Sequence, residues 1–289
     1  MSKRKGVIQV TGLEDIFSDH VESGETITRI PVKSLRAFQN HPFRVVDDAK
    51  MEETVESVKQ RGVLVPILVR PYSENQYEVI SGHRRWRASF LAGLKNIPAI
   101  IRKISDDDAV VIMVDSNIQR EDILPSEKAK AYAMKYKALK HQGSKGGKYT
   151  ADLVGETAGE SGRTVQRYIR LAELSDPILS YVDRGKISLG VGEILSYLNA
   201  EEQTMLYQIM DTTDVIPDKC QAEQLRKEST AGRLREGTIY SVLCKRELHQ
   251  KPVTLTRTDI KKYFPVNFTN DQIKTVIYQL LDEWTQKQS

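Results

Sequence analysis

The stretch Ser81–Ser89, SGHRRWRAS, constrains this chain more than any other. It follows Tyr77–Ile80, a short apolar run that reads as a strand, and it opens a helix predicted from about His83 to Leu91, ended near Gly93. Gly82 at the strand-to-helix corner lets a ligand come close to the backbone. The first turn of the helix offers unpaired N–H groups and the positive end of its dipole. Arg84, Arg85 and Arg87 add charge-assisted donors. Together these features describe an anion site. A solvated basic face with Trp86 packed inward would use the same residues.

From Ile27 the surrounding pattern is α/β. Asp47 or Asp48 caps a helix with Met51, Val55 and Val58 on its apolar side, and Gly62 stops it. Val63–Val69 is apolar and β-branched and reads as a strand, with a turn at Ser73–Gln76 before the next. Ile97–Ile104 reads as another strand and Asp106–Asn117 as a helix. A further helix begins at Pro125, which a first turn tolerates, and runs to about Gln142. GSKGGK (143–148) reads as a flexible joint, followed by mainly helical chain to about Met210. Residues 211–237 mix Asp, Pro, Lys, Arg and Gly and read as a linker or mobile helix. Near the end, Thr269 and Gln272 have capping-box spacing, and Ile273, Val276, Ile277, Leu280, Leu281 and Trp284 form one apolar stripe. That stripe fits either a subunit contact or the domain's own core.

Two further clusters carry chemistry. Asp115, Asn117, Gln119, Arg120, Glu121 and Asp122 gather at a helix boundary. Hard oxygen donors there suit magnesium beside phosphates, and Arg120 could reach the phosphates, although helix capping with a surface ion pair explains the same residues. Residues 150–174 read as helix, turn, helix, with Ser161 as the second helix's cap. At about 100° per residue, Arg163, Gln166, Arg167 and Arg170 share one face, and Val165, Tyr168, Ile169 and Ala172 the other. A DNA-reading helix needs one side anchored and Arg and Gln side chains free for base edges and phosphates. An ordinary amphipathic helix with a wet basic face looks similar.

Totals constrain less. The 289 residues suffice for two or three domains, and a net charge of +4 decides nothing about nucleic acid. Position matters more: residues 81–87 and 163–170 each carry three arginines and no acid. Cys220 and Cys244 fit neither a zinc nor a redox spacing. No apolar run approaches the roughly 20 residues of a membrane span, and the basic N-terminus lacks a signal peptide's apolar core, so a cytoplasmic protein without membrane partners is expected. Five scattered histidines argue against a histidine metal centre. GSKGGK is one residue short of a phosphate-loop spacing, and Tyr149 stands where that motif needs Ser or Thr.

Over residues 27 to about 200, the order GVLVPILVR, SGHRRWRAS, NIQRED and helix-turn-helix resembles the ParB family of partition proteins, specifically those of plasmids and integrative elements. The resemblance implies an α/β nucleotide domain at 27–121 after an N-terminal arm (1–26). A helical helix-turn-helix domain follows at 122–212. A linker (213–237) and a small, mainly α C-terminal domain at 238–289, assigned to dimerisation, complete the chain. It implies CTP with Mg2+ as ligand, double-stranded DNA with a centromere-like site, a homodimer that closes into a clamp, a ParA-type ATPase as partner, and a nucleoid-associated location. By position, Gly82, His83, Arg84 and Arg85 fall in the triphosphate motif, and Gly62 to Arg70, with Gly62 and Pro66, in the segment lining the cytosine. Asn117, Gln119 and Arg120 fall in the second phosphate and metal motif, with Asn117 as metal ligand. Ser161, Arg163, Thr164, Gln166, Arg167 and Arg170 fall in the DNA-reading element. His83 and Ser116 stand where the family's motifs carry glutamates tied to hydrolysis, which implies CTP binding with weak hydrolysis at most. Asp115, one residue from Ser116, is a substitute carboxylate, though it points about 100° away on a helix. The rival classes are a helix-turn-helix transcriptional regulator without a nucleotide switch, and a kinase or nuclease drawing on Asp115, Glu121 and Asp122.

Overall fold

The structure, a computed structural model, describes residues 26–120, 122–143, 147–244, 263–264 and 268–288. Residues 1–25 of the expected N-terminal arm, Glu121 and residues 144–146 of the joint lie outside the described residues. The chain divides into two units, 1–244 and 245–289.

The first unit opens on a mixed five-stranded sheet of order β1-β5-β3-β4-β2. Its strands are β1 (Ile27–Pro31), β2 (Leu35–Arg36), β3 (Ile67–Ser73), β4 (Gln76–Ser81) and β5 (Asn96–Ile101). β3 pairs antiparallel with β4 and parallel with β5. Helix α1 (Ala49–Arg61) starts at Asp48, whose carboxylate accepts from Met51 N at 2.8 Å, and ends at Gly62 with φ +72°. Such a cap contributes about 1 kcal/mol. The strand expected at Val63–Val69 begins only at Ile67. Gly62 turns the chain, Pro66 lacks a backbone donor, and Leu64 and Val65 stay exposed.

Helix α2 (His83–Leu91) follows β4 as expected, and α3 (Asp106–Asp115) ends two residues before the predicted Asn117. Helices α4 (Pro125–His141), α5 (Gly147–Glu156) and α6 (Gly162–Leu171) come next. One buried cluster joins Leu68, Ile80 and Ile100 of the sheet to Met113 on α3, Tyr132 on α4, Val154 on α5 and Val165 on α6. The sheet and the helix-turn-helix therefore share a core.

A second cluster builds the rest of the unit from α7 (Asp176–Asp183), α8 (Leu189–Leu195), α9 (Ala200–Thr213), α10 (Lys219–Thr230) and α11 (Glu236–Cys244). This corrects the linker expected at 213–237. Asp218 caps α10 in a reciprocal box with Gln221, and Ala222, Leu225 and Leu234 are buried with Leu206 and Ile239. Few apolar residues serve that contact, and the charged outer face of α10 dominates its composition. The start of a separate C-terminal domain at 238 is corrected with it, because α11 packs in the same cluster.

In the second unit, α12 (Asn270–Gln288) begins at the expected box, with Gln272 Oε1 accepting from Thr269 N at 2.9 Å. Ile273 is buried, whereas Leu280, Leu281 and Trp284 are exposed.

Candidate functional site

β4 delivers the chain to Gly82, which adopts φ +100° and caps α2 without a side chain. A Cβ here would lie 2.7 Å from Ile67 Cγ2 and 3.0 Å from an Arg85 terminal nitrogen, so the corner excludes any larger residue. Arg85 reaches back and donates to Val65 O at 2.8 Å and Pro66 O at 2.6 Å. Burial lowers its pKa, the expected response of a cation removed from water.

Gly82, His83, Arg84 and Arg85 line a cleft of about 150 Å3 with Ser116, Asn117 and Arg120 from the turn after α3, and with His41 and Arg44 from the segment after β2. Both sequence clusters thus meet in one cavity. His41 and Arg44 were not legible, because neither belongs to a periodic segment. None of the described residues lining the cleft is a carboxylate. Arg84 contacts Asp48 at 3.3 Å and Arg120 contacts Asp122 at 3.4 Å at its rim. Arg87, expected among the anion donors, is instead held by Asp47 at 2.6 Å and lines an adjoining apolar cavity of about 400 Å3 with Phe43, Trp86 and Phe90.

His83 is buried, and its ring lies 3.9 Å from that of His41, centre to centre. Burial first, and the neighbouring His41 second, pull its pKa down to about 3. The Nε2 atoms of both rings are buried without a protein partner, while His41 Nδ1 sits 2.7 Å from Phe43 O. Both imidazoles are neutral at physiological pH, since burial also lowers His41.

Asn117 donates its amide to Met113 O at 2.8 Å and Ser116 Oγ at 3.2 Å, so its side-chain oxygen is the atom that could hold a metal. One hard oxygen of this kind would suit Mg2+, a cation that is commonly held by few protein ligands. Gly62 and Pro66 are not among the residues lining the cleft, and Pro66 reaches the site through its carbonyl on Arg85. Gln119 turns away and donates to Thr157 O at 3.2 Å. Asp115, considered as a substitute carboxylate, is unavailable. Its side chain and that of Lys135 are each only 4% exposed and form an ion pair. Lys135 Nζ also lies 3.2 Å from Thr157 Oγ1 and 3.4 Å from Val154 O. The turn bearing Asn117 is thus tied, through Asp115–Lys135 and Gln119, to the turn of the helix-turn-helix.

In that turn the two helices approach closely. A Cβ on Gly155 would lie 2.3 Å from Glu160 O, and Gly162 N donates to Asp152 Oδ1 at 3.0 Å. Ser161 Oγ accepts from Thr164 N at 3.2 Å, as a cap on α6. Arg163 and Gln166 are exposed on α6, and Val165 is buried beneath. The other two expected readers are engaged within the protein. Arg167 Nε donates to Glu193 at 2.7 Å. Arg170 donates to Ser196 O at 2.8 Å and stacks 4.1 Å from the Tyr197 ring centre, with Arg226 3.7 Å from the same ring.

Residues 17–118 match the family model for the ParB N-terminal domain, and residues 121–227 that for the ParB HTH domain. The chain is 31% identical over 210 residues to the probable chromosome-partitioning protein ParB of Neisseria meningitidis, covering 72% of this chain and 70% of that protein. Among solved structures it resembles C-terminally truncated ParB of Caulobacter crescentus complexed to the centromeric parS site. That match has 25% identity and a TM-score of 0.41 and covers 70% of this chain and 99% of the other. The same protein complexed with CTP-gamma-S matches at 29% identity and a TM-score of 0.32, over 63% and 97%. The chain belongs to the ParB family, as its two domain models and its sequence identity establish. Among the described residues no helix is long and apolar enough to cross a membrane.

Proposed function

We propose that this protein is a site-specific DNA-binding partition factor for a plasmid, mobile element or chromosome, acting as a homodimer whose DNA clamp is switched by CTP with Mg2+. The observation that carries the reading is the single cleft in which the α2 N-terminus and its arginines face Asn117 and Arg120. The backbone N–H groups of α2 and Arg84 would hold phosphates, and Arg85 would keep the 65–66 backbone in place beside them. Asn117 would hold the metal, which when bound neutralises phosphate charge. The ties from Asp115 and Gln119 to the Thr157 turn give the cleft a mechanical connection to the DNA reader. A ParA-type ATPase is the further partner that the family resemblance implies.

The absence of a carboxylate among the described lining residues, with His83 neutral and Asp115 tied to Lys135, supports nucleotide binding with slow or no turnover. It also weighs against a kinase or nuclease built on Asp115. The test is equilibrium binding of CTP, ATP and GTP, with and without Mg2+, to wild type and Arg85→Ala. Selective Mg2+-dependent CTP binding, sharply weakened in the variant, is the expected result. No nucleotide binding, with or without cognate DNA, would leave a helix-turn-helix regulator.

A further inference from the structure

Helix α8 packs against α6, and Gly192 permits the close approach. A Cβ on Gly192 would lie 2.6 Å from Leu171 Cδ1, and one on Gly190 would lie 3.3 Å from a terminal nitrogen of Arg167. This approach brings Glu193 Oε2 to 2.7 Å from Arg167 Nε. A guanidinium held at Nε keeps its two terminal nitrogens as a pair of parallel donors, and guanine presents O6 and N7 as the matching acceptors. The carboxylate also cancels the charge with which Arg167 would attract any phosphate, and it removes rotamer freedom that docking would otherwise cost.

We propose that Glu193 is a positioning residue that sets base specificity through Arg167. The proposal rests on α6 being the DNA-reading helix. Arg170, on the same face, has a different job. Its Nε is buried without a partner, one terminal nitrogen is spent on Ser196 O, and its guanidinium lies over the Tyr197 ring, as does that of Arg226. Arg170 joins α6 to α8 and α10, and the DNA-facing edge consists of Arg163, Gln166 and Arg167, of which Arg167 reads a base.

A duplex selected from a random-sequence pool by the wild-type protein serves as the site, with every single base-pair variant of it and an unrelated duplex as competitors. Arg167→Ala should weaken site binding by about 10- to 100-fold and flatten discrimination at one G·C pair. Glu193→Ala should flatten the same pair with a loss of roughly threefold to tenfold, and the double variant should match Arg167→Ala alone. Glu193→Gln keeps an acceptor for Nε without the charge. It should retain the discrimination while binding the unrelated duplex as tightly as Glu193→Ala does. If Glu193→Ala tightens all duplexes by one factor and leaves discrimination intact while Arg167→Ala loses it, Glu193 merely offsets charge and the proposal is overturned. An Arg167→Ala protein that binds the site like wild type overturns both this proposal and the assignment of Arg167 to the DNA-facing edge.

Discussion

Arg85 in the cleft and Arg167 on α6 are both oriented guanidiniums, but Arg85 is held by the carbonyls of Val65 and Pro66, and Arg167 by the carboxylate of Glu193. Carbonyl oxygens fix direction without themselves cancelling the guanidinium charge. A carboxylate fixes direction and takes most of that charge away. The first arrangement favours affinity for phosphate, and burial strengthens the field it exerts. The second favours discrimination between base edges over general attraction.

The junction between the two regions should show the largest effect. Asp115→Asn leaves the Lys135 ammonium buried without a counter-charge, which costs about 3–5 kcal/mol. Urea denaturation should register that loss, and a variant as stable as wild type would mean that the pair is not closed in solution. Next, Arg85→Ala should weaken CTP binding by about 1.5–3 kcal/mol while site binding without nucleotide stays unchanged. Arg87→Ala, whose partner is Asp47, should change CTP affinity far less, and equal effects in calorimetric titrations would erase the distinction drawn for the cleft.

On the reader, Arg163→Ala should weaken all duplexes about equally and reduce the salt slope by about 1, as expected for a phosphate contact. A loss confined to one base pair in the same salt titration would move Arg163 into the group that reads sequence. A further expected effect concerns pH. His83 has a folded pKa of about 3 against an ordinary 6.5, so the unfolded chain binds the extra proton between those values. The stability this neutral ring contributes is complete above pH 6.5 and is lost progressively as pH falls toward 3. Chemical denaturation at pH 7.5 and 5 should show a larger drop for wild type than for His83→Met.

Much of this was legible from local chemistry. Asp48 and Ser161 announced their helices, Gly82 its corner, and the order of the two phosphate motifs the family. Legibility failed where a residue's role depends on something distant in sequence. Asp115 reads as an oxygen donor or substitute carboxylate of the site until Lys135, twenty residues on, is brought against it. The sequence also gives no sign of the partners that the turn after α8 brings to Arg170, Ser196 and Tyr197. The supposed linker failed differently. In α10 only Ala222 and Leu225 turn inward, too few to set a period against the lysines, glutamates and glutamines around them. Val63–Val69 failed because β-branched composition outweighed the punctuation of Gly62 and Pro66.

The Lys135 ammonium touches the end of α3, the end of α5 and the turn that follows it. Positions 115, 135 and 157 therefore form one structural unit, although 115 falls in one matched domain and 135 and 157 in the other. A chimaera that grafts the first domain of a relative onto this reader, cut at the boundary near residue 120, would separate Asp115 from the lysine and threonine it fits. Exchange of modules between family members should succeed only where the donor brings a compatible residue at 115, or where all three positions travel together.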